Sequence, residues 1–139
     1  VSTKIHVRAE GGGKLMTFVL SPGHWHEQRV VRQLLQQGAV RRRGPGRPRL
    51  RPRRLVGDKG YSSRSFRRYL RRKGIRYTIP RRQNEHRGGS FDKTIYRLRN
   101  RVERLINRLK QYRHIATRYD KRAATYATWI TIAALLIWM

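Results

Sequence analysis

Residues 93–113 read KTIYRLRNRVERLINRLKQYR, and the fold follows from the spacing inside this stretch. Ile95, Leu98, Val102, Leu105 and Leu109 recur at three- and four-residue steps, with Ile106 beside them. That is the apolar stripe of an amphipathic helix laid on a core. Tyr96, Arg99, Glu103 and Lys110 form a second stripe, one residue on and so about 100° around the axis. Arg97, Arg101, Arg104 and Arg108 form a third, facing water or a polyanion. The middle stripe runs along the edge of the buried face, where a cleft would lie, and Glu103 is the single acid of the helix. By spacing alone it is a solvated helix edge, with Arg99 and Glu103 as a pair worth roughly 0.3 kcal/mol.

Just upstream, Asp92 can cap the helix, and residues 81–90 form a polar loop. Ile75, Tyr77 and Ile79 alternate as a strand that Pro80 ends. Ser62 or Ser63 can cap a helix running to Lys73, with Phe66, Tyr69 and Leu70 inward and Gly74 as its stop. Residues 54–59, RLVGDK, are a short apolar strand ending in an acid. The three form a strand–helix–strand unit, expected to be parallel and right-handed. Asp58 thus sits at the carboxyl end of a strand, the edge where open α/β sheets bind ligands. A lone acid there is more often a turn cap, but the serines already serve the next helix.

Further upstream, residues 39–54 are rich in Arg, Pro and Gly, which bars helix and sheet. Arg41, Arg42, Arg43 and Arg47 make this an extended loop suited to phosphate contact. Gly46-Arg47-Pro48 resembles the core of a minor-groove AT-hook, with Pro45 where that motif carries its first Arg. Residues 27–37 read as a helix with Val30, Val31, Leu34 and Leu35 on its apolar face. His24 and His26 with Glu27 could be a metal cluster, but two residues apart in a loop is poor geometry for one ion, and hydrogen-bonded loop histidines are favoured. Residues 3–10, with Ile5 and Val7 set against Lys4, His6 and Arg8, and residues 15–20 pair as an antiparallel hairpin across Gly11-Gly12-Gly13. The apolar segment 127–139 is too short to span a membrane, which takes about 20 residues, and reads as part of a buried terminal helix over residues 121–139.

Composition narrows the partner. The chain has 139 residues and a formal charge of +28, from 35 Lys and Arg against 7 Asp and Glu. Hydrophobic residues at 37% and aromatics at 9% are too many for a wholly disordered basic tail. A globular domain this basic repels itself unless a polyanion neutralises it, so nucleic acid is the expected partner; no membrane partner is expected, because the apolar segment 127–139 is too short to span one. Cysteine is absent, which rules out disulfides and thiolate zinc sites.

Three stretches carry a resemblance. Tyr-x2-Arg-x3-Glu-x6-Lys, matched by Tyr96, Arg99, Glu103 and Lys110, is similar to the signature around the last acid of bacterial insertion-sequence transposases of the DDE type. The flanking NRLKQYRHIATRYDK, residues 107–121, resembles the segment that follows it. LVGDKGY, residues 55–61, resembles the second-acid motif, and SPGHWHE, residues 21–27, a turn of the same group. The resemblance implies a mixed α/β fold of ribonuclease-H-like type, with one sheet flanked by helices. It implies DNA transposition by metal-dependent strand cleavage and transfer, in the bacterial cytoplasm at the nucleoid. DNA, as transposon ends and target, is then the partner, with further copies of the chain as a second. Asp58 and Glu103 become ligands of Mg²⁺ or Mn²⁺ in a two-ion site. Arg99 and Lys110 contact scissile-strand phosphates or hold Glu103 ionised, and Tyr96 positions DNA.

The resemblance also sets an expectation about completeness. The family's first acid lies on the opening strand, ahead of the segment matching TKIH. Glu10 is the nearest acid here and its register does not match that ligand. Residues 1–139 therefore read as a partial catalytic domain lacking its first strand, inactive alone. Two other readings compete: a non-catalytic basic nucleic-acid-binding protein of ribosomal type, and a ribonuclease-H-like nuclease. The paired motifs around Asp58 and Glu103 favour the transposase over the first, and the Tyr96–Lys110 stripe over the second.

Overall fold

The computed structural model describes residues 2–37, 43–47, 51–83, 85, 91–117 and 121–139. The chain divides into two compact units, residues 1–23 with 100–139, and residues 24–99. The architecture is mixed α/β with two small sheets and several helices.

In the first unit, β1 (Thr3–Ala9) and β2 (Leu15–Pro22) pair antiparallel, from Thr3 opposite Pro22 to Ala9 opposite Leu15. The turn between them needs Gly13, whose φ is +89°. Helices α4 (Asn100–Lys110), α5 (Arg113–Ala116) and α6 (Ala123–Trp138) complete the unit. Leu15, Leu105, Leu109, Ile115, Tyr126 and Ile130 are buried together, with Ile5, Val7 and Phe18 packed against them. His6, expected on the polar face of β1, is buried at 3% exposure. It shares a hydrogen bond with the Ser21 hydroxyl at 2.8 Å, which supplies the polar partner that a buried imidazole needs.

The terminal helix forms where expected but is only partly buried. Ile130, Ala133 and Ile137 face the core, while Leu135 and Leu136 are 60% and 52% exposed. Among the described residues, no helix is long and apolar enough to cross a membrane.

In the second unit a 3-10 turn at Glu27–Arg29 leads into α1 (Val31–Gln36). Strand β3 (Arg54–Val56), helix α2 (Arg64–Arg72) and strand β4 (Arg76–Thr78) follow, and β3 and β4 are parallel as expected. The Ser63 hydroxyl accepts from Phe66 N–H at 3.0 Å and caps α2. Gly74, at φ +69°, ends it, with Ile75 N–H bonded to Leu70 O at 2.9 Å. Val31, Leu35, Phe66, Leu70, Ile75 and Ile79 form the core.

Residues 93–113 are not one helix. Asp92 caps α3 (Lys93–Tyr96), accepting from Ile95 N–H at 3.1 Å. A 3-10 turn over Arg97–Arg99 separates α3 from α4. Three residues at 3.0 rather than 3.6 per turn shift the phase by roughly 60°. Leu98 is accordingly 45% exposed, while Leu105 and Leu109 keep the predicted face. Tyr112, in extended conformation, ends the predicted continuity before α5.

Candidate functional site

The site is built on the turn that follows β3. Gly57 N–H donates to Thr78 O at 3.2 Å, continuing the ladder one residue beyond the strand. Asp58 then leaves the strand's carboxyl end in extended conformation. Its Oδ1 accepts from Lys59 N–H at 2.7 Å, capping a 3-10 turn at Lys59–Tyr61. The expectation that nearby serines would spare Asp58 this duty does not hold, because Ser62 and Ser63 act on α2 and its surroundings. The Asp58 side chain is 52% exposed, and its Oδ2 lies 3.6 Å from Arg99 Nη2.

Arg82 fastens the same turn from the other side. Its Nη2 donates to Gly60 O at 2.9 Å and to His26 Nε2 at 3.0 Å, and its Nε donates to Lys59 O at 3.4 Å. Gln28 Nε2 also donates to Gly60 O, at 3.3 Å. The loop histidine His26 is thus hydrogen-bonded near a helix start, as expected. Asp58, Lys59, Gly60, Arg82 and Gln83 line an open cleft of about 570 Å³. Burial, aided by the charges of Glu27 and then Asp58, pushes the Tyr61 hydroxyl up to about 12.

Beneath the turn lies a buried polar group. Arg67 Nη2 donates to Ser62 Oγ at 2.7 Å and to Ile79 O at 3.1 Å. Ser62 Oγ donates to Glu85, 2.7 Å from Oε1, and Arg67 lies 3.5 Å from Glu85 Oε2. This ties Ile79 and Glu85, on either side of Arg82 in the chain, to α2.

The other predicted residues are placed as follows. Tyr96 is half-buried, its ring 5.2 Å from that of Phe91. Arg43, Arg47, Arg97, Arg101, Glu103, Arg104, Arg108 and Lys110 are exposed. The Arg101 guanidinium donates to Gly11 O. Arg41 and Arg42 lie outside the described residues. The structure joins Arg99 to Asp58, a contact that the i,i+4 pairing of Arg99 with Glu103 did not suggest. Among the described residues, no three His, Asp or Glu side chains gather where one metal ion could be held. Sequence reasoning missed Arg82, Arg67 and Glu85, which stand in runs of like polar residues with no spacing signal.

These features make up a strongly basic mixed α/β domain with an arginine-gripped acid at a strand end. The chain belongs to the transposase DDE domain family, whose model matches residues 2–138. At family level that means polynucleotidyl transfer. A protein of Burkholderia cepacia, named as a transposase for insertion sequence element IS402, is 27% identical over 135 residues. The match covers 97% of this chain and 62% of that protein, so the chain spans less than two thirds of this relative's length. One of Brucella ovis (strain ATCC 25840 / 63/290 / NCTC 10512), named as a transposase for insertion sequence element IS6501, is 23% identical over 141 residues. There the match covers 100% of this chain and 99% of that protein. No solved structure matches the chain. The resemblance to bacterial insertion-sequence transposases is borne out at the level of the family.

Proposed function

We propose that the chain serves DNA strand cleavage and transfer in a catalytic domain of ribonuclease-H-like design, with Asp58 and Glu103 as two of its metal-holding carboxylates. The observation that carries this is the Arg99–Asp58 pair at 3.6 Å. Arg99 belongs to the helix motif and Asp58 to the LVGDKGY turn, so two motifs read from distant stretches meet in one contact. The parallel β3–β4 unit and the antiparallel β1–β2 hairpin support the fold reading.

The donors fit a hard cation in kind. Asp58 and Glu103 are exposed carboxylates, and Mg²⁺ or Mn²⁺ takes oxygen ligands. When bound, paired ions activate the attacking oxygen and stabilise the leaving one. The chain's own residues bind and orient. Lys59 N–H holds one Asp58 oxygen, and Arg99 steadies the other. Tyr96, Lys110, Arg97, Arg101, Arg104, Arg108, Arg43 and Arg47, with Arg41 and Arg42 by sequence, supply contacts to the DNA backbone. Two carboxylates hold an ion weakly, so strand cleavage by residues 1–139 alone is not expected.

The test uses Fe²⁺ in place of Mg²⁺, with ascorbate and peroxide, to cut the backbone beside the bound ion. Cuts are expected near Asp58 and Glu103, and their loss in Asp58→Asn and Glu103→Gln. Cuts at neither segment, or cuts that survive both substitutions, would refute the assignment. Joined to a strand bearing a further acid, the protein should nick transposon-end DNA with Mg²⁺. Glu103→Gln should then abolish nicking and leave DNA binding intact.

A further inference from the structure

The register of β3 and β4 sets Arg54 beside Arg76 at the amino ends of the two strands. Neighbouring parallel strands lie about 4.8 Å apart, so two exposed like charges start from adjacent backbone positions. Arg53, exposed just before β3, accepts Arg76 N–H on its carbonyl at 3.1 Å. Arg51 Nη1 donates to Lys73 O at 2.6 Å and ties this edge to the end of α2. Arg71, Arg72 and Lys73 are exposed there as well. Among the described residues, no acidic side chain pairs with Arg53, Arg54, Arg71, Arg72, Lys73 or Arg76.

Cations in the last turn of a helix are favoured by its dipole, which accounts in part for Arg71, Arg72 and Lys73. It does not account for Arg53, Arg54 and Arg76, which stand on or beside strands. Like charges directly opposite across strands destabilise a sheet. Such an array repels itself until a polyanion neutralises it. It also lies away from the candidate acid. The backbone of Asp58 leaves the carboxyl end of β3 and that of Arg54 begins it, roughly 13 Å apart at about 3.3 Å per residue, while the Arg54 side chain donates to Thr78 Oγ1 at 3.4 Å.

We propose that this edge, formed by Arg53, Arg54, Arg76 and the end of α2, is a second DNA-binding surface, distinct from the Asp58 end, that takes the phosphate backbone of duplex DNA without reading its sequence. The chemistry is that of guanidinium forks on phosphate oxygens. The choice of DNA as occupant rests on the transposase reading above. A domain with both surfaces can hold one duplex at the acid end and another segment at the far end of the same sheet.

The test measures the affinity of the full chain for a short duplex of random sequence across a salt series, in EDTA, so that metal chemistry plays no part. Arg54→Gln with Arg76→Gln should lower the slope of log affinity against log salt by about 1.8, at about 0.9 for each phosphate no longer neutralised. Arg71→Gln with Arg72→Gln should do the same, which keeps the test intact should the first pair fold poorly. The slope is read without metal, so failure of the acid site and failure of this surface are read separately. Parental slopes in both pairs would overturn the proposal, as would a loss of affinity confined to duplex RNA.

Discussion

Arg67→Ala tests the latch that holds the Arg82 segment over the Asp58 turn. Arg67 is 6% exposed, and the side chain of its partner Glu85 is 17% exposed. The substitution removes the ion pair and the donations to Ser62 Oγ, at 2.7 Å, and Ile79 O, at 3.1 Å. Taking away one member of a buried pair costs about 3–5 kcal/mol, because the other charge is left uncompensated. Glu85 keeps the Ser62 hydroxyl, which places the expected loss at the lower end, about 3 kcal/mol. Arg67→Met with Glu85→Gln removes both charges. It also removes the buried Nε, which has no hydrogen-bond partner among the described residues, so this double variant should recover most of the loss. Urea unfolding with linear extrapolation measures both. A loss below about 1 kcal/mol, the value of a surface pair, would refute the reasoning. So would a double variant weaker than Arg67→Met alone.

Other outcomes follow from single contacts. The Lys14 N–H hydrogen bond, with smaller contributions from Gly12 N–H and the charges of Lys14 and Arg101, holds the Glu10 carboxyl below its ordinary value of 4.5. Its stabilisation is therefore present above 4.5 and lost as pH falls through the lowered value, and Glu10→Gln should flatten that part of a stability–pH profile. The Tyr61 phenol, pushed up to about 12, should titrate late by ultraviolet absorbance, and Glu27→Gln should bring it partly back toward 10.0. Because its folded value is raised, Tyr61 adds stability that is full below 10.0 and lost as pH climbs toward about 12. Tyr126→Phe leaves the Ile115 carbonyl without the hydroxyl that donates to it at 2.8 Å, and should cost about 1–3 kcal/mol by chemical denaturation. Gly74→Ala forces a side chain into φ +69° and should cost about 1–2 kcal/mol, with Gly74→Asn less harmful.

The features legible in the sequence are those whose cause is local. Val102, Leu105 and Leu109 share a face because the helical period sets it, and Asp92 caps α3 because its side chain reaches Ile95 N–H three residues on. The glycine turn between β1 and β2 and the stop at Gly74 likewise follow from backbone freedom at those positions. The 3-10 turn at Arg97–Arg99 carries no such mark, since arginine and leucine are good helix formers and nothing in their order announces a change of pitch. Leu98 is therefore misread by periodicity.

The candidate site divides the same way. Asp58 at a strand end and Glu103 on an amphipathic helix could be located by pattern, because strand and helix periods are properties of consecutive residues. Which groups surround them could not. Arg99 turns to Asp58, Arg82 clamps Gly60 and His26, and Arg67 is buried against Ile79 and Glu85 through contacts between segments far apart along the chain. In a chain with 35 lysines and arginines, residue type cannot tell a solvated cation from a buried one. Only tertiary packing decides that, because desolvating a charge is tolerable only where distant groups converge to pair it.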